Sequence, residues 1–210
     1  MRKGLFIVFE GCDGSGKTTI SQNVYNKLLE MGYPVIYTRE PGGIEISEKI
    51  RDIILDPKNT TMDDRTEALL YASSRRQHLI EKVLPALNDN KIVICDRFVF
   101  SSLVYQGYAR GIGLEEVWQI NNFAIDDNFP DRTIFLDIQA EVGIERISSR
   151  KFKDRLDQES MGFHHKVYEG YQIINDRFKD KVETFDANRT PDEITKDVTD
   201  YLVGLIGNAR

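Results

Sequence analysis

The chain has 210 residues, of which 40% are hydrophobic and 30% charged, a balance that excludes a disordered or fibrous protein and permits a packed core without covalent staples. Its net charge of -6 disfavours nucleic acid or an anionic membrane as the main partner, so any anion-binding basic site must be local. Two cysteines without metal-ligand spacing, Cys12 and Cys95, and no run near the about 18 apolar residues of a membrane span lead to the expectation of a soluble, cytoplasmic protein.

The first apolar run, Leu5 to Phe9, meets Glu10 too early for an export signal and reads as a strand. After it, Ile20, Val24 and Leu28 recur every four residues and Gly32 follows, which predicts a helix with a glycine stop. Val35 to Tyr37, the second strand, completes a β-α-β unit. Helices are predicted over about residues 44–55 and 64–88, then a strand at Ile92 to Cys95 and a helix at 114–126. Thr133 to Leu136 and Val182 to Phe185 are the last two strands, with helices at 140–149, 158–178 and 191–206. Near-continuous apolar strands alternating with amphipathic helices predict a three-layer α/β fold around a five-stranded parallel sheet. No repeat or linker interrupts the alternation, so residues 1–210 read as one domain. The segment Arg146 to Glu159 mixes Arg146, Arg150, Lys151, Lys153 and Arg155 with Asp154, Asp157 and Glu159. It is too charged for a core and reads either as a solvated helix end or as a mobile phosphate-binding lid.

Gly11-Cys12-Asp13-Gly14-Ser15-Gly16-Lys17-Thr18 matches GxxxxGK[ST], directly after a strand and opening a helix. Glycines allow a tight turn whose N–H groups point at phosphate oxygens, and the helix N-terminus adds partial positive charge. The expected fold is therefore of the P-loop NTPase type. Gly11, Asp13, Gly14, Ser15, Gly16, Lys17, Thr18 and Thr19 form the expected ATP-binding set. Lys17 would bridge the β- and γ-phosphates, and Thr18 would offer its hydroxyl to Mg²⁺. Asp96, ending the third strand before Arg97, is placed to hold Mg²⁺ or its waters. ATP is expected over GTP because no [NT]KxD guanine-reading signature is present.

Further residues extend the pattern: Thr38-Arg39-Glu40-Pro41-Gly42-Gly43 after the second strand, Asp96-Arg97-Phe98 with Ser101-Ser102 and Tyr105-Gln106-Gly107, and Asp154-Arg155. In this ordered combination the chain, from about residue 5 to 206, resembles bacterial thymidylate kinases, which are nucleoside monophosphate kinases of the P-loop class. The resemblance implies ATP as donor, dTMP as acceptor, Mg²⁺, and a homodimer. It implies Arg39, Arg51 and Arg97 as the guanidinium groups that grip the acceptor phosphate, as fork-shaped donors suit a dianion. It further implies Tyr71 as the ring packed on thymine and Arg75 as the group reaching O4. Ser102 and Gln106 would contact the pyrimidine edge, with Tyr105 under the deoxyribose. Glu40 would orient either a Mg²⁺-bound water or an arginine, counting with the catalytic set and the dTMP-binding set alike. The P-loop positions from Cys12 to Ser15 contain no basic residue while the lid contains several. This resembles the subtype in which a lid arginine, Arg155 or Arg150, joins Lys17 and Arg97 in catalysis. Two positions depart from the family pattern: Phe98 stands where members usually carry Tyr, and Phe100 where many bacterial members carry Asp.

Overall fold

A computed structural model describes residues 4–148, 155–156 and 159–208. Five strands, β1 (Leu5–Glu10), β2 (Val35–Arg39), β3 (Ile92–Asp96), β4 (Arg132–Asp137) and β5 (Val182–Asp186), form a parallel sheet in the order β2-β3-β1-β4-β5. All five stand where the apolar runs predict them. The central strands β3, β1 and β4 are buried along almost their whole length, whereas β2 and β5 at the edges are partly exposed. Burial on both faces is why the central strands read as unbroken apolar runs rather than as alternation.

Helix α1 (Lys17–Glu30) joins β1 to β2 and packs against α9 (Pro191–Asn208). Right-handed crossovers place α1 on one face of the sheet, where α9 packs against it, and the helices of the returning connections on the other. The latter are α2 (Glu45–Leu55), α3 (Asp64–His78), α4 (Leu84–Asn88), α5 (Val99–Ser102), α6 (Leu114–Ile125), α7 (Ala140–Ser148) and α8 (Met161–Arg177). The Asp63 side chain caps α3 by accepting from the Arg65 and Thr66 N–H groups, and Ser160 caps α8. Among the described residues no helix is long and apolar enough to cross a membrane.

Two features differ from the sequence expectation. The helix predicted over 64–88 is broken between α3 and α4 by a π-helical turn, Leu79–Val83. More consequentially, α5 runs on into a π-helical segment, Leu103–Ala109, where no helix is predicted. Leu103, Val104, Tyr105, Gln106 and Gly107 are all buried there, so the segment lacks the one-sided apolar stripe that marks a surface helix. π-helical segments of this kind concentrate at functional sites.

Candidate active site

At the centre of the sheet β1 ends in Glu10, and the chain turns through Gly11 to Gly16 into α1. Gly14 and Gly16 adopt positive φ, +78° and +87°. A Cβ on Gly14 would lie 2.0 Å from the carbonyl oxygen of Gly143 in α7, so glycine meets both a conformational and a steric requirement there. The buried Lys17 folds back over the loop, its Nζ donating to the carbonyls of Gly11 at 2.8 Å and Cys12 at 2.7 Å. Burial, reinforced by the Arg97 charge, brings its pKa down to about 8. One residue on, Thr18 Oγ1 donates to Asp96 Oδ2 at 2.5 Å. A hydroxyl and a carboxylate side by side at the loop mouth are hard oxygen donors. They fit Mg²⁺, which takes one or two protein ligands and completes its shell with water and phosphate.

A cavity of about 360 Å³ extends from this loop across the carboxyl ends of β2 and β3 to α3. It is lined by Asp13, Gly14, Gly16, Lys17, Thr18 and Thr19 on one side, with Asp96 and Arg97 at the junction. The other side carries Arg39, Glu40, Arg51, Tyr71, Arg75, Ser102, Tyr105 and Gln106. Gly11 and Ser15 belong to the loop without lining the cavity. Arg39 and Arg51 both donate to the Pro41 carbonyl at 2.9 Å, which draws two guanidinium groups from β2 and α2 together. Arg97 has a left-handed backbone, φ +71°, unusual for a residue with a side chain. Its guanidinium bonds to the Asp13 carboxylate, to Ser101 Oγ at 3.1 Å and to the Tyr171 hydroxyl at 3.4 Å. It also lies 5.2 Å from the Tyr105 ring centroid, and the Tyr105 hydroxyl donates to Asp13 at 2.7 Å. Burial alone would raise the Asp13 pKa, but the charges of Arg97 and Lys17 outweigh it and hold the carboxyl below its usual range.

Arg75 is 2% exposed and makes four donor contacts. Its Nε donates to Glu40 Oε2 at 2.7 Å, Nη1 to Ser102 Oγ at 3.0 Å and to Asn121 Oδ1, and Nη2 to the Phe98 carbonyl at 2.9 Å. The second Glu40 oxygen meets His78 Nδ1 at 2.9 Å, and His78 Nε2 meets Thr38 Oγ1 at 2.6 Å. Of the two roles open to Glu40 in the sequence, this arrangement supports orientation of an arginine. Gln106 Nε2 donates to the buried Glu67 at 2.8 Å. Tyr71 lines the cavity one helical turn before Arg75.

The lid arginines require a correction of placement. Arg150 lies outside the described residues. Arg155 does not line the cavity: its Nε donates to the Ile54 carbonyl at 2.9 Å and its Nη2 to Glu67, which fastens it to α2 and α3. The buried carboxylate of Glu67 offers a cation a strong partner, and sequence spacing gives no sign of that competition. Among the described residues of this segment, Arg146 is the basic one that lines the cavity, donating to the carbonyls of Gly14 at 3.4 Å and Ala187 at 3.1 Å. Neither departure from the family pattern lines the cavity, although the Phe98 ring lies 5.2 Å from the Arg75 guanidinium. Phe98 packs edge-on against Phe6, with ring centroids 5.0 Å apart, and Phe100 joins an aromatic cluster with Phe129 and Phe178. Glu10, Glu67, His78, Asn121 and Tyr171 are network members that sequence reasoning missed. A faint signal existed for Glu10, a lone charge at the end of an apolar strand, and for His78, one turn beyond Arg75.

A phosphate-binding loop facing an arginine-lined second site across one cavity, on this sheet order, defines a P-loop nucleoside monophosphate kinase. The sequence model of the family described as "Thymidylate kinase" matches residues 9–198. A thymidylate kinase of Oceanobacillus iheyensis is 54% identical over 205 residues, covering 97% of this chain and 91% of that protein. One of a Geobacillus species is 56% identical over 194 residues, covering 91% and 92%. Among solved structures, the crystal structure of thymidylate kinase from Ehrlichia chaffeensis superposes with a TM-score of 0.78 at 31% identity, covering 95% of this chain and 98% of that one. The chain belongs to the thymidylate kinase family and is a phosphotransferase.

Proposed function

We propose that the protein transfers the γ-phosphoryl group of ATP to dTMP, giving ADP and dTDP on the route to dTTP. The observation that carries this reading is the one cavity that the P-loop residues share with Arg39, Arg51 and Arg97 and with Tyr71, Arg75, Ser102 and Gln106. Lys17 and the loop amides hold the ATP phosphates, and the three arginines neutralise the acceptor dianion. Thr18 and Asp96 would hold Mg²⁺, which would supply positive charge beside the donor phosphates. The acceptor oxygen is already anionic, so no general base is needed; Glu40, buried between Arg75 and His78, serves as an orienting partner. Four of the five N–H bonds of Arg75 are directed at acceptors among the described residues, and the fifth, on Nη2, is assigned to thymine O4. Tyr71 packs on the base and Tyr105 under the sugar. The same reading takes the chain as one domain with a lid at about 146–159, cytoplasmic, without a nucleic-acid or membrane partner. It includes a homodimer, for which the 87% exposed Phe123 ring on α6 offers apolar surface. Omitting dTMP from a mixture of enzyme, Mg²⁺ and ATP is expected to abolish ADP release; an equal rate without it contradicts the reading.

Catalysis by the lid assigns transition-state stabilisation to Arg155, which would exchange Glu67 for phosphate oxygens, or to Arg150. Arg155→Ala is then expected to lower kcat by about 10³ with a smaller change in KM for dTMP. Steady-state kinetics decide this. A raised KM for dTMP at unchanged kcat makes Arg155 a clasp that holds Glu67, and through it Gln106, in place.

A further inference from the structure

Glu10 is fully buried at the end of β1, adjacent to the phosphate-binding loop, and has no role in the reaction as described so far. Its Oε1 accepts from the backbone N–H groups of Phe98 at 2.8 Å and Ser101 at 3.1 Å. Its Oε2 accepts from the hydroxyls of Ser101 at 2.6 Å and Tyr171 at 2.9 Å. These two hydroxyl oxygens, themselves 3.1 Å apart, are the ones that Arg97 Nη1 approaches. A hydroxyl has one proton. Whether both donate to Glu10, or Tyr171 donates to Ser101 and Ser101 to Glu10, neither proton faces Arg97. Burial pushes the Glu10 carboxyl above its ordinary range, opposed by the Ser101 hydroxyl, the Arg97 charge and the Phe98 and Tyr171 hydrogen bonds. With four donors and no acceptor around its two oxygens among the described residues, the carboxylate form matches this geometry and turns hydroxyl lone pairs toward the guanidinium, while its bond to the Phe98 N–H fixes the chain just after the left-handed Arg97.

We propose that Glu10 is a positioning residue for phosphoryl transfer, setting the polarity of the Ser101 and Tyr171 hydroxyls so that Arg97 is held between donor and acceptor sites. The proposal rests on the reading of Arg97 as a phosphate clamp. Glu10→Gln tests it with almost no change of shape. The two backbone N–H groups require the amide oxygen at the Oε1 position, so the amide nitrogen falls at Oε2 and donates to both hydroxyls. Only one of the two hydroxyls can then donate to the other, so at least one proton is turned toward Arg97, and a pair of acceptors gains a donor facing the guanidinium.

Glu10→Gln is expected to lower kcat/KM for dTMP about 30-fold, mainly through KM, while KM for ATP and the melting temperature change little. In an Arg97→Ala background the same substitution is expected to change kcat/KM by less than about 3-fold, because the group it acts through is gone. Equal factors in both backgrounds, or no effect in the parent enzyme, overturn the proposal. Should Arg97→Ala alone leave dTMP turnover near that of the parent, the clamp reading itself fails and the proposal with it, a result distinct from a silent Glu10→Gln beside an impaired Arg97→Ala. Tyr171→Phe supplies a second arm if Glu10→Gln does not fold, since its ring keeps its place 5.2 Å from Phe135. It is expected to cost about 3- to 10-fold in kcat/KM for dTMP with Arg97 present and nothing without it; equal costs overturn the proposal.

Discussion

Lys17→Ala is expected to abolish ADP formation, with kcat lower by at least about 10³, while the melting temperature stays within a few degrees. The ammonium hydrogen-bonds two loop carbonyls and no carboxylate, and the nearby Asp13, whose ionised form it favours, keeps its ion pair with Arg97, so removal strips charge from the donor phosphates without stranding a buried anion. Near-normal turnover by the folded variant contradicts the donor-site assignment. The same side chain makes a pH prediction. With its pKa lowered from 10.5 to about 8, free enzyme loses the Lys17 charge above pH 8, and kcat/KM for ATP is expected to fall there. The triphosphate of bound ATP keeps the ammonium charged, so kcat holds to higher pH. Linkage has the opposite sign for stability. Between about pH 8 and 10.5 the unfolded chain binds more protons at this group than the folded one, and its contribution to stability rises with pH. A kcat/KM profile for ATP that is flat to pH 10 contradicts this account of Lys17.

Arg75→Ala is expected to cost about 3–5 kcal/mol of folding stability, because it strands a buried carboxylate at Glu40 together with the Asn121 and Phe98 acceptors. Denaturant unfolding measures this. The folded fraction is expected to lose a further 1.5–3 kcal/mol, approximately, of transition-state binding for dTMP and to narrow the gap to dCMP, since attraction to an O4 acceptor and opposition to an amino donor vanish together. Arg75→Lys should not restore either property, as a single ammonium cannot span the fork-shaped set of acceptors. A variant of full stability with an unchanged dTMP:dCMP ratio contradicts both roles.

The strands, the phosphate-binding loop and the ring of arginines were legible because each obeys a local rule: a buried strand has no polar positions, and a loop that wraps phosphate needs glycines at fixed offsets. Sixteen candidate positions, from Asp13 in the loop to Gln106 in the π-helical segment, meet in one cavity. What sequence could not give is which partner wins when several are in reach. Arg155 reads as a phosphate ligand from the charge of its segment, yet in the fold the buried Glu67 lies beside it. Residues 103–109 carry no helical stripe because all of them but Tyr108 are buried. Glu10, His78 and Asn121 act through hydrogen bonds spanning 91, 38 and 46 residues, and no local pattern records such distances along the chain.

On the proposed function Arg75 and its neighbours select thymine while the P-loop holds the ATP that supplies the phosphoryl group, and kcat/KM for ADP release from ATP with dTMP, dUMP and dCMP tests this most directly. The expected order is dTMP first, dUMP lower by about 10- to 200-fold for its missing methyl, and dCMP lower by as much as about 10⁴-fold for its mismatched amino group. Turnover of dCMP equal to or above that of dTMP, or ADP release indifferent to all three, would contradict the account.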